Sequence, residues 1–332
     1  MTAPVALESR PRQAVVLAGG RGTRLRPLTD SRPKPMVEFH GRPFLEYVVE
    51  MLRDQGFDRV LLLLGYMADV VVDHFGDGAA LGVEIDYAVT APDDLTGHRM
   101  LHARERLDPV FLLCYCDNYW PLRFDPMWER FAGSDAGAMA TVYDNGDGYT
   151  RSNVRVEDGQ VTAYDPTRAA PGLQGVEIGY AIVRRETLDL LPAHDALFEK
   201  AVYPQLVEDG RLLANVTGHR YYSVGSHERL PLTSEFLARH PTVILDRDGV
   251  LNVRPPKAEY VTTPEEFVWM PDAREALAEL AAAGYRVIVV SNQAGIARGA
   301  LSEATLERIH ARMCADAEAA GGRIDADRKS VV

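Results

Sequence analysis

The 332 residues predict an α/β protein with a largely parallel, mixed sheet, and three observations carry that expectation. Short apolar runs of strand length alternate with stretches whose apolar residues recur at helical spacing, as in strands joined by crossover helices. The first run, 14–18 (AVVLA), is continuously apolar, as a strand covered on both faces must be, and it leads directly into a glycine-rich loop. After 239–241 (RHP) the pattern restarts with a second such run, 242–246 (TVILD), which ends on a carboxylate.

Taken in order, 44–55 has apolar residues at helical spacing and Gly56 to end it. Residues 59–64 form the next strand, 68–75 a helix and 83–89 a strand. The strand 110–115 runs straight into Asp117, and 138–143 follows. Residues 154–164 alternate around Asp158-Gly159, a hairpin signal. Strand 177–183 and helix 225–239 close the first unit. In the second, 273–283 is a helix stopped by Gly284, and 285–290 is a strand. Ser302 caps a helix running to Ala320, with Glu303 and Glu307 favouring its N-terminal half. This gives a tail over 1–11, a first domain over 12–240, a second over 241–326, and an ending, 327–332, treated separately below.

A formal charge of -12 argues against nonspecific nucleic-acid binding, which needs a basic face. No apolar run approaches the ~20 residues of a membrane span, and the N-terminus lacks the basic-then-apolar layout of a signal peptide. Three cysteines are too few for a disulfide framework. Cys114 and Cys116 fall on one face of a strand and read as buried thiols rather than as a metal site. A cytoplasmic protein is expected, and a homo-oligomer is compatible with the sequence.

The loop after the first strand contains Gly19, Gly20 and Gly22, then Thr23 and Arg24. Glycines let backbone N–H groups approach phosphate oxygens, and a helix starting there would add its dipole. A tight turn explains two of the glycines. It does not explain Arg21, Arg24 and Arg26 beside them, or Lys34 just downstream, which together supply fixed charge for a triphosphate.

With 17–29 (LAGGRGTRLRPLT) and 34–36 (KPM), the sequence resembles the sugar-1-phosphate nucleotidyltransferases, whose signature is G-G-x-G-T-R-L-x-P-L-T followed by K-P. The similarity continues through 41–46, 176–180 and 224–226, roughly the first 240 residues. It implies a Rossmann-like nucleotidyltransferase domain. A sugar phosphate would attack the α-phosphorus of a nucleoside triphosphate (GTP at family level) and release pyrophosphate. Leu17, Gly19, Gly20, Gly22, Thr23, Arg24 and Lys34 would bind the nucleotide, with Arg24 and Lys34 catalytic, and Asp117 would hold Mg²⁺. Asp117 also fits a plain strand-end turn with Asn118. Three positions depart from the pattern: Cys116 stands where a glycine precedes the metal aspartate, Ser223 replaces a second metal aspartate, and 94–97 (DLTG) replaces the base-selecting P-L-G-T. Losing one carboxylate weakens metal binding unless Glu177 or a water substitutes. Asp144 and Asp147 bracket a calcium-like turn that reads better as a solvated loop.

The second domain opens with 246–252 (DRDGVLN). Two carboxylates at i and i+2 after a strand can face one pocket, as nucleophile and acid/base. This resembles motif I of the haloacid-dehalogenase-type phosphatases and implies the N-terminal part of such a Rossmannoid domain. Asp246 would be the nucleophile, Asp248 the acid/base, and both would contribute to a Mg²⁺ site. Residues 291–299 (SNQAGIARG), with Tyr260-Val261, are similar to the D,D-heptose 1,7-bisphosphate phosphatases, which makes Ser291, Asn292 and Arg298 phosphate-binding residues. The family's motif III lysine, motif IV acids and zinc loop are expected after 321–326, so Zn²⁺ would belong to a full-length phosphatase domain only. The ending 327–332 (DRKSVV) back-translates to GATCGGAAGAGCGTCGTG, a sequencing-adapter sequence, and reads as a non-native tail with no strand after 324–325. Little phosphatase activity is expected of this chain, and poor solubility of its second half.

Together the modules imply a bifunctional enzyme of nucleotide-activated heptose biosynthesis. The alternatives are a catalytically weak nucleotide-sugar-binding regulatory module and a hexose-1-phosphate nucleotidyltransferase.

Overall fold

The computed structural model describes residues 9–238, 241–256, 259–292 and 294–330, with side chains up to Ala326. The chain divides into two compact units, Met1–Ala238 and Arg239–Val332.

The first unit begins with β1 (Gln13–Leu17), the short β2 (Glu38–Phe39) and β3 (Arg42–Pro43), α1 (Phe44–Asp54), β4 (Arg59–Leu64) and α2 (Ala68–Phe75). Next come β5 (Glu84–Val89), α3 (Thr96–His102), β6 (Val110–Tyr115), β7 (Asn118–Tyr119), α4 (Phe124–Ala132) and β8 (Ala138–Tyr143). It closes with β9 (Val154–Glu157), β10 (Gln160–Tyr164), β11 (Val176–Arg184), α5 (Phe198–Glu208), β12 (Leu212–Thr217), β13 (Tyr222–Ser223) and α6 (Leu230–Leu237). Nine strands form one sheet, ordered β5-β4-β1-β6-β11-β8-β12-β10-β9. The β5-β4-β1-β6 half is parallel, whereas β11 runs antiparallel to both β6 and β8.

Strand periodicity explains the two-sided core. Ala14, Val16, Leu62, Leu112 and Cys114 pack on one face with Phe44, Val48 and Leu52 of α1 and Phe124 and Phe131 of α4. Val15, Leu17, Leu61, Leu63, Phe111 and Leu113 pack on the other with Met100 of α3 and Phe198, Val202 and Leu206 of α5. Cys116 joins Cys114 in the first of these clusters.

Several elements are absent from the sequence reading, and α5 is the clearest case. Pro204 lies inside it and reads as a helix breaker, yet Phe198, Val202 and Leu206 recur at i, i+4 and i+8 and bury one stripe. Burial outweighs the missing N–H. The helix expected over 225–239 begins later, because extended Ser226 and a 3₁₀ turn, His227–Arg229, precede α6 with Pro231 in its first turn.

The second unit holds β14 (Thr242–Asp246), α7 (Ala273–Ala282), β15 (Arg286–Asn292), the single turn α8 (Ala294–Ala297), α9 (Glu303–Ala319) and β16 (Ala326–Ser330). Its sheet is parallel, ordered β14-β15-β16. Ser302 caps α9, its Oγ accepting from Thr305 N–H at 3.1 Å. The expectation that no strand follows 324–325 is corrected by β16, which pairs with β15 from Ile288↔Ala326 to Asn292↔Ser330. A ladder needs only backbone groups, so the free edge of β15 accepts a segment that lacks an apolar pattern. One sheet face is covered, with Val287 and Val289 against Leu277, Leu306, Ile309 and Met313. On the other, Ile244 is 66% and Val290 42% exposed.

Candidate active site

In the first unit, β1 has β4 on one side and β6 on the other, so the chain reverses its winding direction between β1 and β6. Ligands of parallel α/β sheets bind in the crevice beyond the strand ends at such a point. Leu17 lies opposite Tyr115, and Cys116 N–H donates to Leu17 O at 3.2 Å. The glycine loop and Asp117 therefore leave the sheet side by side.

The loop's glycines have different causes. Gly22 adopts φ +64°, and a Cβ there would lie 2.8 Å from Lys34 Cβ. Its carbonyl accepts from Leu25 N–H and from Thr29 Oγ1–H, both at 2.9 Å. A Cβ on Gly19 would fall 2.3 Å from the Arg99 guanidinium carbon, whereas Gly20 has nothing within 4 Å and is open to a ligand. The helix start expected after the loop is a 3₁₀ turn, Thr23–Leu25, too short to contribute a helix dipole. What the loop offers an anion is therefore backbone N–H groups and side-chain charge.

That charge is unevenly committed. Arg21 is bidentate to Asp93 at 2.7 and 3.0 Å, and Arg26 lies 3.2 Å from Asp30. Arg24 is exposed and makes no hydrogen bond or ion pair among the described residues. Lys34, in the 3₁₀ turn Lys34–Met36, donates to Asp117 Oδ2 at 2.5 Å. Burial works to raise the Asp117 carboxyl, but the Lys34 ammonium, with help from Arg24, holds it below its ordinary value. The carboxylate is thus ionised and already neutralised by a side chain.

Ser223 sits beside this pair: it is buried, lies opposite Asn118 in the β7-β13 ladder, and is followed by Val224, whose N–H donates to Asp117 O at 2.8 Å. A cavity of about 250 Å³ opens next to Asp117, lined among others by Tyr115, Arg168, Glu177, Glu199 and Lys200. Tyr115 O–H donates to Glu199 Oε2 at 2.5 Å. Burial, reinforced by Glu199 and Asp117, pushes the Glu177 carboxyl up to about 8 against the pull of the Gly179 N–H at 2.7 Å. Sequence reasoning missed Arg168, in the turn after β10, and it missed Glu199 and Lys200 because α5 was not recognised as an element that could bring them here. It also missed Arg99, whose residue type signals nothing in a stretch of mixed polarity. The Asp144–Asp147 turn is structural, with Asp147 accepting from Tyr143 O–H at 2.5 Å and pairing with Arg220.

Residues 13–147 match the family described as nucleotidyl transferase. The chain is 40% identical over 130 residues to the UTP–glucose-1-phosphate uridylyltransferase AglF of Haloferax volcanii, covering 39% of this chain and 53% of that protein. It is 30% identical over 211 residues to the mannose-1-phosphate guanylyltransferase of Mycobacterium tuberculosis, covering 59% and 56%. Over these residues the first unit is similar to the nucleotidyl transferases, among them glucose-1-phosphate and mannose-1-phosphate enzymes. The chain spans about half the length of these two curated relatives. The nucleotidyltransferase fold is shared with HddC from Yersinia pseudotuberculosis, solved in complex with GMP-PN: TM-score 0.58, 24% identity, covering 69% of this chain and 100% of that one. No helix among the described residues is long and apolar enough to cross a membrane.

In the second unit, Asp246 ends β14 opposite Val290, so Asp246 and Ser291 stand at the C-terminal ends of neighbouring parallel strands. Asp246 Oδ1 accepts from Arg247 N–H at 2.7 Å. The Asp248 carboxylate is gripped by the fork of Arg247, with both oxygens 2.9 Å from Nη2, and by Asn252 Nδ2 at 3.1 Å. Arg247 is 1% exposed and also lies 3.3 Å from His310 Nε2. Ser291 is buried and Asn292 ends β15. Arg298, beyond α8, is exposed and donates to Tyr260 Oη at 2.7 Å. The structural roles of Arg247 and His310 were not apparent from sequence.

Proposed function

We propose that the first unit transfers a nucleotidyl group from a nucleoside triphosphate to a sugar 1-phosphate with release of pyrophosphate. The observation that carries this is the convergence of the open Gly20 turn, uncommitted Arg24 and the Lys34–Asp117 pair at one strand-end crevice, beside a cavity rich in carboxylates and hydroxyls. Arg24 and Lys34 would stabilise the triphosphate and the charge that develops on its oxygens. The cavity's carboxylates and amides suit sugar hydroxyls.

Mg²⁺ fits a donor set with one carboxylate, because it keeps several waters and binds through one or two carboxylates plus substrate phosphates. Asp117 supplies that carboxylate, with the neighbouring Ser223 hydroxyl neutral beside it. Bound there, Mg²⁺ would supply charge neutralisation at the phosphates.

For the second unit we propose a haloacid-dehalogenase-like origin, with Asp246 as nucleophile, Asp248 as acid/base, and Ser291, Asn292 and Arg298 toward phosphate. The parallel placement of Asp246 and Ser291 supports it. With a heptose 1,7-bisphosphate as its substrate, the first unit's sugar becomes a heptose and GTP the expected triphosphate. A hexose 1-phosphate is the second reading, favoured by the glucose- and mannose-1-phosphate enzymes among the relatives.

The test is pyrophosphate release with Mg²⁺ across heptose, mannose and glucose 1-phosphates and four triphosphates, repeated with Asp117→Asn. Turnover that falls at least ~100-fold in the variant is expected. Tight nucleotide binding without turnover by the wild type refutes the enzyme reading, and an unchanged variant refutes the role of Asp117.

A further inference from the structure

Arg99, on α3, is 3% exposed. Its guanidinium donates to Leu64 O and Thr90 Oγ1 at 2.6 Å, Ala91 O at 3.0 Å, Pro92 O at 3.2 Å and Gly19 O at 3.4 Å. These acceptors stand just after β1, at the end of β4 and just after β5. One side chain thus ties together the C-terminal ends of three neighbouring strands. Burial lowers the proton affinity of Arg99, and its anionic neighbours, Asp94 and Asp195, act without direct contact.

A buried cation is costly unless fully hydrogen-bonded, and an apolar side chain would fill the volume at lower cost. The surroundings are nevertheless shaped to it. A Cβ on Gly19 would lie 2.3 Å from its Cζ, and one on Gly65 would lie 2.5 Å from its Nη1. The glycine loop and the segment after β5 are joined a second time by the Arg21–Asp93 pair. Gly19 is tied further through its carbonyl, which also accepts from Tyr66 N–H at 3.0 Å.

We propose that Arg99 is a positioning residue for nucleotide recognition, holding the Gly19 turn against 90–92 and so setting the width of the cleft that receives the nucleoside end of the triphosphate. The inference rests on the nucleotidyl-transfer reading of the first unit. Arg99 acts through the backbone it orders and not by touching the reacting atoms. A lysine cannot replace it fully, because one ammonium offers three donors where two guanidinium nitrogens serve five acceptors.

The experiment compares the full chain with Arg99→Lys and Arg99→Met in two assays: steady-state kinetics with each triphosphate, and amide hydrogen exchange. Expected for Arg99→Met is a rise in KM for the triphosphate of about tenfold or more, with kcat changed less than about threefold, and a narrowed preference among bases. Arg99→Lys should recover part of the KM. Exchange at the Ala18, Tyr66 and Thr90 amides, which bond to Leu63, Gly19 and Leu64 carbonyls, should quicken about tenfold. A folded Arg99→Met variant with wild-type KM, base preference and exchange overturns the proposal. If that variant does not fold, Thr90→Val removes one of the two shortest contacts: a KM rise of about threefold is expected, and an unchanged KM overturns the proposal. Inactivity of the wild type toward every triphosphate is instead a failure of the proposed function, and unchanged exchange in the variant then rejects the bracing role separately.

Discussion

Replacing Lys34 by methionine removes the cation that keeps Asp117 ionised while preserving most of the aliphatic stem. The side chains are 14% and 27% exposed, so the pair lies between a surface ion pair and a fully buried one. Exposed pairs contribute about 0.2–1 kcal/mol, and breaking a buried pair costs about 3–5 kcal/mol, which brackets this loss at about 2 kcal/mol. In a unit of this size, 1 kcal/mol corresponds to about 2–4 °C, so the melting temperature should fall by about 4–8 °C at neutral pH. The pH dependence separates this cause from a loss of packing. In the wild type Asp117 is held below its ordinary pKa, so its stabilisation is present above the unfolded carboxylate range and is lost as pH falls through the depressed value. In Lys34→Met burial dominates, the carboxyl moves up, and the folded state takes a proton instead. The deficit of the variant should therefore be largest near neutrality and shrink as pH falls toward about 4. Calorimetric melts of wild type, Lys34→Met, Asp117→Asn and the double variant give the coupling directly. A coupling below about 0.5 kcal/mol, or a deficit that does not change with pH, refutes the reasoning.

Glu177, with its carboxyl pushed up to about 8, is protonated in the fold where an unfolded glutamate has already ionised. Its burial should cost increasing stability from about pH 4.5 to 8 and level off above that, so Glu177→Gln should flatten that slope in thermal melts; an unchanged slope would mean the carboxylate is solvated. In the second unit, Ile244→Thr and Val290→Thr fall on an exposed strand face. Together they should reduce light scattering on concentration while changing stability by less than about 0.5 kcal/mol per site, and a clear loss of stability would show that the face is packed.

Much of the sheet was readable because continuous apolar runs such as 59–64 have few interpretations other than a buried strand, and strand ends carry the chemistry. Asp117, the glycine loop, Asp246 and Ser291 could all be placed at strand ends for that reason. What stayed hidden depends on contacts between distant segments. Pro204 masks α5, which brings Glu199 and Lys200 to the cavity, and nothing in 94–99 announces that Arg99 reaches back to Gly19. The strand β16 was equally unreadable, since its ladder is drawn from backbone groups and not from a side-chain pattern.

Ser223 alters the charge of the site more than its shape. It occupies its place in the β7-β13 ladder opposite Asn118, and the backbone around it still bonds to Asp117, so the scaffold does not need a carboxylate there. Electrostatically, Asp117 is paired with Lys34, Arg21 with Asp93 and Arg26 with Asp30, which leaves Arg24, felt by Asp117 without direct contact, as the loop arginine that has no ion pair among the described residues. An aspartate at 223 would add a negative charge beside Asp117. With serine the site keeps a net positive bias for a polyanion, strongest at low ionic strength, where exposed arginines are least screened. On the proposed function, triphosphate capture would then depend less on a metal held in advance, and a cation arriving with the triphosphate would meet Asp117 already in its ionised state. If the loop binds phosphate as proposed, a serine in place of the family's carboxylate would favour that role, so Ser223 and the retained arginines are compatible with one working site.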